Sequence, residues 1–197
     1  MQIAYITTIG QDSHAFVPEF EDRRGMTAAP SGEGPATDLP ASVARSLILG
    51  GVRIEDGTPA LAGNSDADVI LHAITNAISG YTGINILGGK ADDLCRAGET
   101  NSAVYLQEAL ATLPAEVRLE HVSLSLEGSR PRLKPYVDRI RLNVAKLLDL
   151  SLNQVGLTAT SGEGLTAFGR GEGIQVFCLL TLARTDELIF NHEETNK

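Results

Sequence analysis

Asp12-Ser13-His14 and His72 are the residues of this chain whose types best suit metal chemistry. One carboxylate and two imidazoles make three ligands with a fourth position open, the donor set of a catalytic zinc site. In an extended chain, side chains at i and i+2 point the same way, so Asp12 and His14 can reach one ion. His72 lies in a stretch with helical spacing. Asp68, four residues before it, and Asn76, four after it, share its face. Either could accept a hydrogen bond from the imidazole nitrogen that a metal leaves free, fixing the tautomer. An isolated D-x-H is equally compatible with no metal, His72 then being a core histidine among apolar neighbours. His121, in an expected strand, reads as structural, and His192 lies in a polar tail.

Two further segments suit phosphate. Residues 158–173 read TATSGEGLTAFGRGEG. Thr160 and Ser161 offer hydroxyls there, and the glycines allow close backbone approach. Glu163 offers a carboxylate to a hard cation such as Mg2+ or Mn2+, which prefers oxygen ligands and substrate phosphates, and Arg170 adds a cation. The G-K-[ST] ending of a P-loop is missing, and a plain Gly-rich hairpin is the alternative. Residues 129–135 read SRPRLKP, where two prolines stiffen a loop carrying Arg130, Arg132 and Lys134. In an acidic chain this is the cationic cluster best suited to a nucleotide or phosphate. A solvated loop before a helix is its plain reading.

The composition narrows the classes of function. A net charge of −9 without any Lys/Arg run disfavours nucleic acid and anionic membranes. Trp is absent and aromatics are few, which disfavours a stacking platform for single strands. Cys95 and Cys178 are the only cysteines and lack C-x-x-C spacing, so a reduced cytoplasmic protein without disulfides is expected. No apolar run is long enough for a membrane helix and residues 1–10 do not resemble a signal peptide.

The elements that must position these groups follow from periodicity. Strands are expected over 2–9, ending at Gly10, and over 46–54, interrupted by Gly50 and Gly51. A helix is expected from Asn64-Ser65-Asp66 to Gly80, a Gly-rich loop over 81–99, and a second helix over 102–113 stopped by Pro114. A strand over 117–126, a helix over 136–149 and strands over 154–159 and 173–183 complete the order, with a fraying tail after Arg184. Residues 17–45 have no apolar period and read as a long loop insertion in a single domain spanning 1–197. The order β-β-α-α-β-α-β-β predicts an α/β (α+β) sandwich, a mixed β-sheet with helices on one face.

Together the segments resemble the 2-C-methyl-D-erythritol 2,4-cyclodiphosphate synthase family, over most of the chain outside 17–45. G-Q-D-S-H-A-F at 10–16 is similar to the family's G-x-D-x-H-x-F. N-S-D-A-D-V-x-x-H-A-I-T-N-A at 64–77 is similar to its H-S-D-G-D-V-x-x-H-A-x-x-D-A. S-R-P-R-L-K-P at 129–135, A-T-S-G-E-G-L at 159–165 and G-R-G-E-G-I at 169–174 resemble its cytidine loop and C-terminal pattern. The resemblance implies a homotrimer with sites between subunits, and a zinc or other divalent ion on Asp12, His14 and His72. It implies a second ion, Mg2+ or Mn2+, near Glu163 on the substrate diphosphate. Asn64 and Ser161 would serve the reaction. Ser65, Gly88, Asp93, Thr160 and Arg170 would contact the substrate, and the loop Arg130, Pro131, Arg132, Leu133 and Lys134 would hold cytosine. The reaction would be phosphorus–oxygen lysis in the non-mevalonate isoprenoid pathway, releasing CMP and a cyclic diphosphate.

Several positions depart from the pattern. Asn64 replaces a His, Asn76 replaces an Asp, and Ile86 falls where the family has a ribose-binding Asp. Ala167 stands where a Phe is usual, with Phe168 beside it. Two other readings stay open on the residues themselves. One is a metal-dependent phosphohydrolase using Asp66 or Glu163 as base. The other is a non-catalytic relative that binds metal or nucleotide.

Overall fold

Alternation of apolar and polar residues, and in one case a nearly unbroken apolar run, lays down four strands. In the computed structural model, which describes residues 2–18 and 46–186, they join in one mixed sheet. Its order is β1 (Gln2–Ala15), β6 (Gly173–Asp186), β4 (Val117–Glu127) and β5 (Val155–Thr160). β6 pairs antiparallel with β1 and β4, whereas β4 and β5 run parallel. β2 (Ile48–Leu49) and β3 (Val52–Arg53) form a separate small hairpin turned by Gly50 and Gly51, both in the left-handed region. The expected strand over 46–54 is therefore two short strands.

Four helices complete the fold: α1 (Val69–Thr82), α2 (Gly89–Arg96), α3 (Ser102–Leu110) and α4 (Val137–Leu147). α1 covers β1 and β6, and α4 lies against β5. On the covered face of the sheet Val122, Leu124, Leu126, Val176, Cys178 and Leu180 are buried in one continuous apolar cluster. Each fully buried Leu or Val side chain contributes ~1.5–3 kcal/mol. The intervening residues face the other way. Ser123, Ser125, Ile3, Tyr5, Ile9, Phe177 and Leu179 are exposed, so the uncovered face carries an apolar stripe along β1 and β6.

Three elements, β1, α1 and α2, differ most from the sequence expectation. β1 does not end at Gly10 but continues through Ala15, so Asp12 and His14 belong to the strand. Gly10 is instead the point where α1 presses closest, because a Cβ there would overlap the backbone of Ala73 and Ala77. α1 starts at Val69 and is capped by Asp68, whose carboxylate accepts the Ile70 and Leu71 N–H groups. It passes through Gly80 and stops at Gly83, whose φ of 73° supplies the left-handed cap. α2 occupies residues read as loop. Its one buried residue is Ala91, which leaves almost no apolar period to detect. The segment 19–45 and the tail 187–197 lie outside the described residues.

Candidate metal centre

The left edge of the site is β1 and its floor is α1. Strand periodicity sets Asp12 and His14 on the covered face of β1, and α1 brings His72 up beneath them. Asp12 Oδ2 stands 3.0 Å from His14 Nε2 and 3.0 Å from His72 Nδ1. The three ligand atoms all lie within 4.8 Å of one another. His14 Nδ1 lies 2.7 Å from Ala62 O. A carbonyl only accepts, so this nitrogen carries the proton and Nε2 presents its lone pair to Asp12.

Electrostatics fit that arrangement. Burial alone would raise the Asp12 carboxyl, but a second proton on either ring turns the nitrogen facing it into an N–H donor, and such hydrogen bonds from His14 and His72, with their charge, hold it well below the usual carboxylate range. His14 is raised, chiefly by its hydrogen bond to Asp12, with burial opposing. A carboxylate oxygen and imidazole lone pairs converging on one point require a cation or a proton between them. The donor set, one oxygen and two nitrogens with an open side, suits a divalent ion such as zinc.

The open side is a cavity of about 370 Å³ lined by the triad, Asn64, Ser65, Asn76, Asn85, Leu87, Gly88, Ala91, Asp92, Cys95 and Tyr105. Cys95 Sγ donates to Asn64 O at 3.0 Å, tying α2 to the loop before α1. Ser65 Oγ accepts from Ala67 N, which holds that loop in shape. Burial pushes the Tyr105 hydroxyl up to about 12, and its ring stacks on His72 at 6.3 Å.

The partners expected of His72 are engaged elsewhere. Asp68 is fully buried and accepts from the N–H groups of Gly50, Gly51, Ile70 and Leu71, joining the β2–β3 turn to α1. Burial raises its carboxyl to about 6, with the N–H donors of Gly51, Gly50 and Leu71 pulling the other way. Asn76 Nδ2 donates to Gln11 O at 2.9 Å, bracing β1 beside Asp12. The remaining nitrogen of His72 meets Ser102 Oγ at 2.8 Å, and Ser102 in turn donates to Asp66. Ser102 is separated from His72 by 30 positions, so no local spacing announces it.

Asn64, Ser65 and Gly88 thus share the metal cavity. Asp93 does not line it: its carboxylate pairs with Arg96 on an exposed turn of α2, and Asp92 faces the cavity instead. Ile86 is fully buried in the core and has no route to a ribose.

The remaining site residues gather at the far side of the same sheet end. Thr160 closes β5, and Ser161 leads into a short 3-10 turn, Gly162–Gly164. Glu163 is exposed there and left-handed at φ 51°. Ser129 N donates to Phe168 O and Gly128 N to Thr160 O, so the 128–134 and 160–171 loops lie together. Arg130 lies over the Phe16 ring at 4.6 Å, with Pro131 and Leu133 buried. Arg132, Lys134 and Arg170 are exposed, and Arg170 is paired with Glu172 at 2.9 Å. None of residues 129–134 or 160–170 lines the metal cavity of the same chain.

A family model described as the YgbB family matches residues 5–183. A 2-C-methyl-D-erythritol 2,4-cyclodiphosphate synthase of Chlamydia trachomatis serovar L2b (strain UCH-1/proctitis) is 44% identical over 179 residues, 90% of this chain and 88% of that protein. Among solved structures, the bifunctional IspDF of Campylobacter jejuni superposes with a TM-score of 0.72 at 27% identity. That match covers 94% of this chain and 44% of the longer bifunctional one. A 2C-methyl-D-erythritol-2,4-cyclodiphosphate synthase structure gives a TM-score of 0.67 at 26% identity, over 90% of this chain and 99% of that one.

Proposed function

Because the chain belongs to the YgbB family, we infer that it is a 2-C-methyl-D-erythritol 2,4-cyclodiphosphate synthase, a phosphorus–oxygen lyase of non-mevalonate isoprenoid biosynthesis. The observation that carries this reading is the Asp12–His14–His72 triad at the floor of an open cavity, in a chain 44% identical to a synthase of that name over nearly its whole length. The substrate is 4-diphosphocytidyl-2-C-methyl-D-erythritol 2-phosphate. An oxygen of its 2-phosphate attacks the β-phosphorus, the bond to the α-phosphate oxygen breaks, and CMP leaves with the electron pair.

Protein catalysis of such a transfer is positioning and neutralisation of charge. Asp12, His14 and His72 would hold Zn2+, and Glu163 would hold Mg2+ or Mn2+ on the diphosphate; the bound ions supply neutralising positive charge. Asn64 donates a neutral hydrogen bond to a phosphate oxygen from the cavity rim, and Ser65 lies beside it. Thr160 and Ser161 hold phosphate oxygens. Arg130, Pro131, Arg132, Leu133 and Lys134 form the cytosine loop, with Arg170 nearby. Gly88 and Asp92 border the sugar side, a place Asp93 was expected to fill.

The two groups of residues belong to one site if subunits associate, each cavity being completed by a neighbour's 128–134 and 160–171 loops. Two observations favour a homotrimer of this kind. The C-terminal cluster lies outside its own chain's cavity, and the apolar stripe of Ile3, Tyr5, Ile9, Phe177 and Leu179 is left uncovered by its own helices. No helix among the described residues is long and apolar enough to cross a membrane, and we place the enzyme in the cytoplasm.

The test is a phosphorus NMR time course with this substrate, zinc and magnesium. CMP and a cyclic diphosphate should appear, and should be lost with chelator and in His72→Ala while the oligomer persists. An open-chain phosphate product, or no turnover by folded and metal-loaded protein, would overturn the assignment.

A further inference from the structure

We propose that Asp66 and Ser102 are positioning residues that lock His72 in one tautomer and thereby choose its metal-binding atom. The chain of contacts has a fixed polarity. Asp66 accepts at both oxygens, from the backbone N–H groups of Asp68 and Ser102 and from the Ser102 hydroxyl. With its proton committed to Asp66, Ser102 Oγ can only accept along its remaining side. The group it faces at 2.8 Å is His72 Nε2, which must therefore carry the proton. In the neutral ring Nδ1 is then bare and aimed at Asp12 Oδ2, 3.0 Å away, where a cation or a second proton completes the contact.

His14 is set the opposite way by the Ala62 carbonyl, proton on Nδ1 and lone pair on Nε2. Each imidazole is thus held by a separate device, and both present a lone pair to the same point. Ser102 is fully buried at the start of α3. Asp66 N also donates to Thr100 O at 2.8 Å, so the device links the loop before α1 to the head of α3. Water has no access to Ser102 to replace it, so the tautomer is a property of the fold rather than of the solvent.

This inference rests on the metal reading of the triad, and its test separates the two. The tautomer of His72 is read by nitrogen-15 NMR in metal-free protein, and zinc affinity by competition with a chromophoric chelator. Ser102→Ala should let the Nδ1–H form of His72 grow in and weaken zinc binding roughly 10- to 100-fold. The His14 signals should stay unchanged, and Ser102→Thr, which keeps the hydroxyl, should restore both readouts. Ser102→Cys, similar in shape but a poor acceptor, carries the same expectation if the alanine variant does not fold. An unchanged tautomer and unchanged zinc affinity in the alanine or cysteine variant would overturn the proposal. If the unsubstituted protein binds no zinc, the metal reading falls, and the tautomer alone then decides for or against the relay.

Discussion

Gly10→Ala places one methyl group where β1 and α1 meet. The added Cβ would sit 2.9 Å from Ala77 Cα and nearer still to Ala73 O and Ala77 N. Non-bonded heavy atoms need ~3 Å or more between them, and the tightest of these contacts is only 2.1 Å, so strand and helix must part by roughly 1 Å or more. Neither yields readily, since β1 is paired along its length to β6 and α1 is buried on most of its surface. Overpacking of this kind costs ~1–3 kcal/mol, a fall in melting temperature of roughly 2–12 °C for a chain of this size.

The site feels the same displacement. Asp12 lies two residues after Gly10 on the strand and His72 one residue before Ala73 on the helix. Functional constellations tolerate about 0.5 Å, so zinc affinity should fall about tenfold or more, ~1.4 kcal/mol. Thermal melts and chelator competition measure the two effects, with Gly89→Ala as control. That glycine has no neighbour within 4 Å of its added Cβ, and its helical position should tolerate or favour alanine. A Gly10→Ala protein with parental melting temperature and zinc affinity would refute the reasoning.

Ile86→Asp puts a carboxylate into a fully buried position. It should lower stability by about 3 kcal/mol or more in urea titration; a stable variant that binds nucleotide more tightly would mean that Ile86 had replaced a ribose ligand. The pH dependence of the metal-free protein has a defined sign. His14 is raised above 6.5, so its contribution is fully present below about 6.5 and lost as pH rises through its folded value. Asp12 is depressed, so its contribution is present above the unfolded value of 3.8 and lost as pH falls through its folded value. Melting temperature in chelator should therefore decline from about pH 6.5 upward, while zinc protection grows over the same range as zinc displaces the His14 proton. A metal-free protein that gains stability between pH 6.5 and 8 would contradict this.

The ligand triad was legible because residue type and period carried it. D-S-H fits the two-residue repeat of a strand, and His72 sits in a helix with an unmistakable apolar period. The strong strand over 173–183 was equally plain, being apolar almost throughout. What escaped depends on distant contacts. Gly10 read as a strand end because glycine weakens strands locally, whereas its reason is a helix backbone that arrives 63 positions later in Ala73. Ser102 is an ordinary first-turn serine until His72 is brought against it. α2 has a single buried residue, so its helical period was too faint to separate from a loop, and with it went the means to tell that Asp92 rather than Asp93 lines the cavity. Asp68 showed the right spacing to serve His72, but four backbone N–H groups satisfy it first.

β1 shows its ligands to one side and its apolar stripe to the other, in strict alternation. The two roles are bound by parity. Inserting or deleting one residue between Ile9 and Asp12 would turn Asp12 and His14 outward and bring their neighbours in, exchanging the triad's face for the apolar one in one step. Changes of length in this strand can be accepted only in pairs, while substitutions on either face remain independent of the other. A lineage carrying this strand is therefore free to retune its exposed apolar stripe residue by residue without disturbing the Asp12–His14–His72 triad, so long as it never loses count.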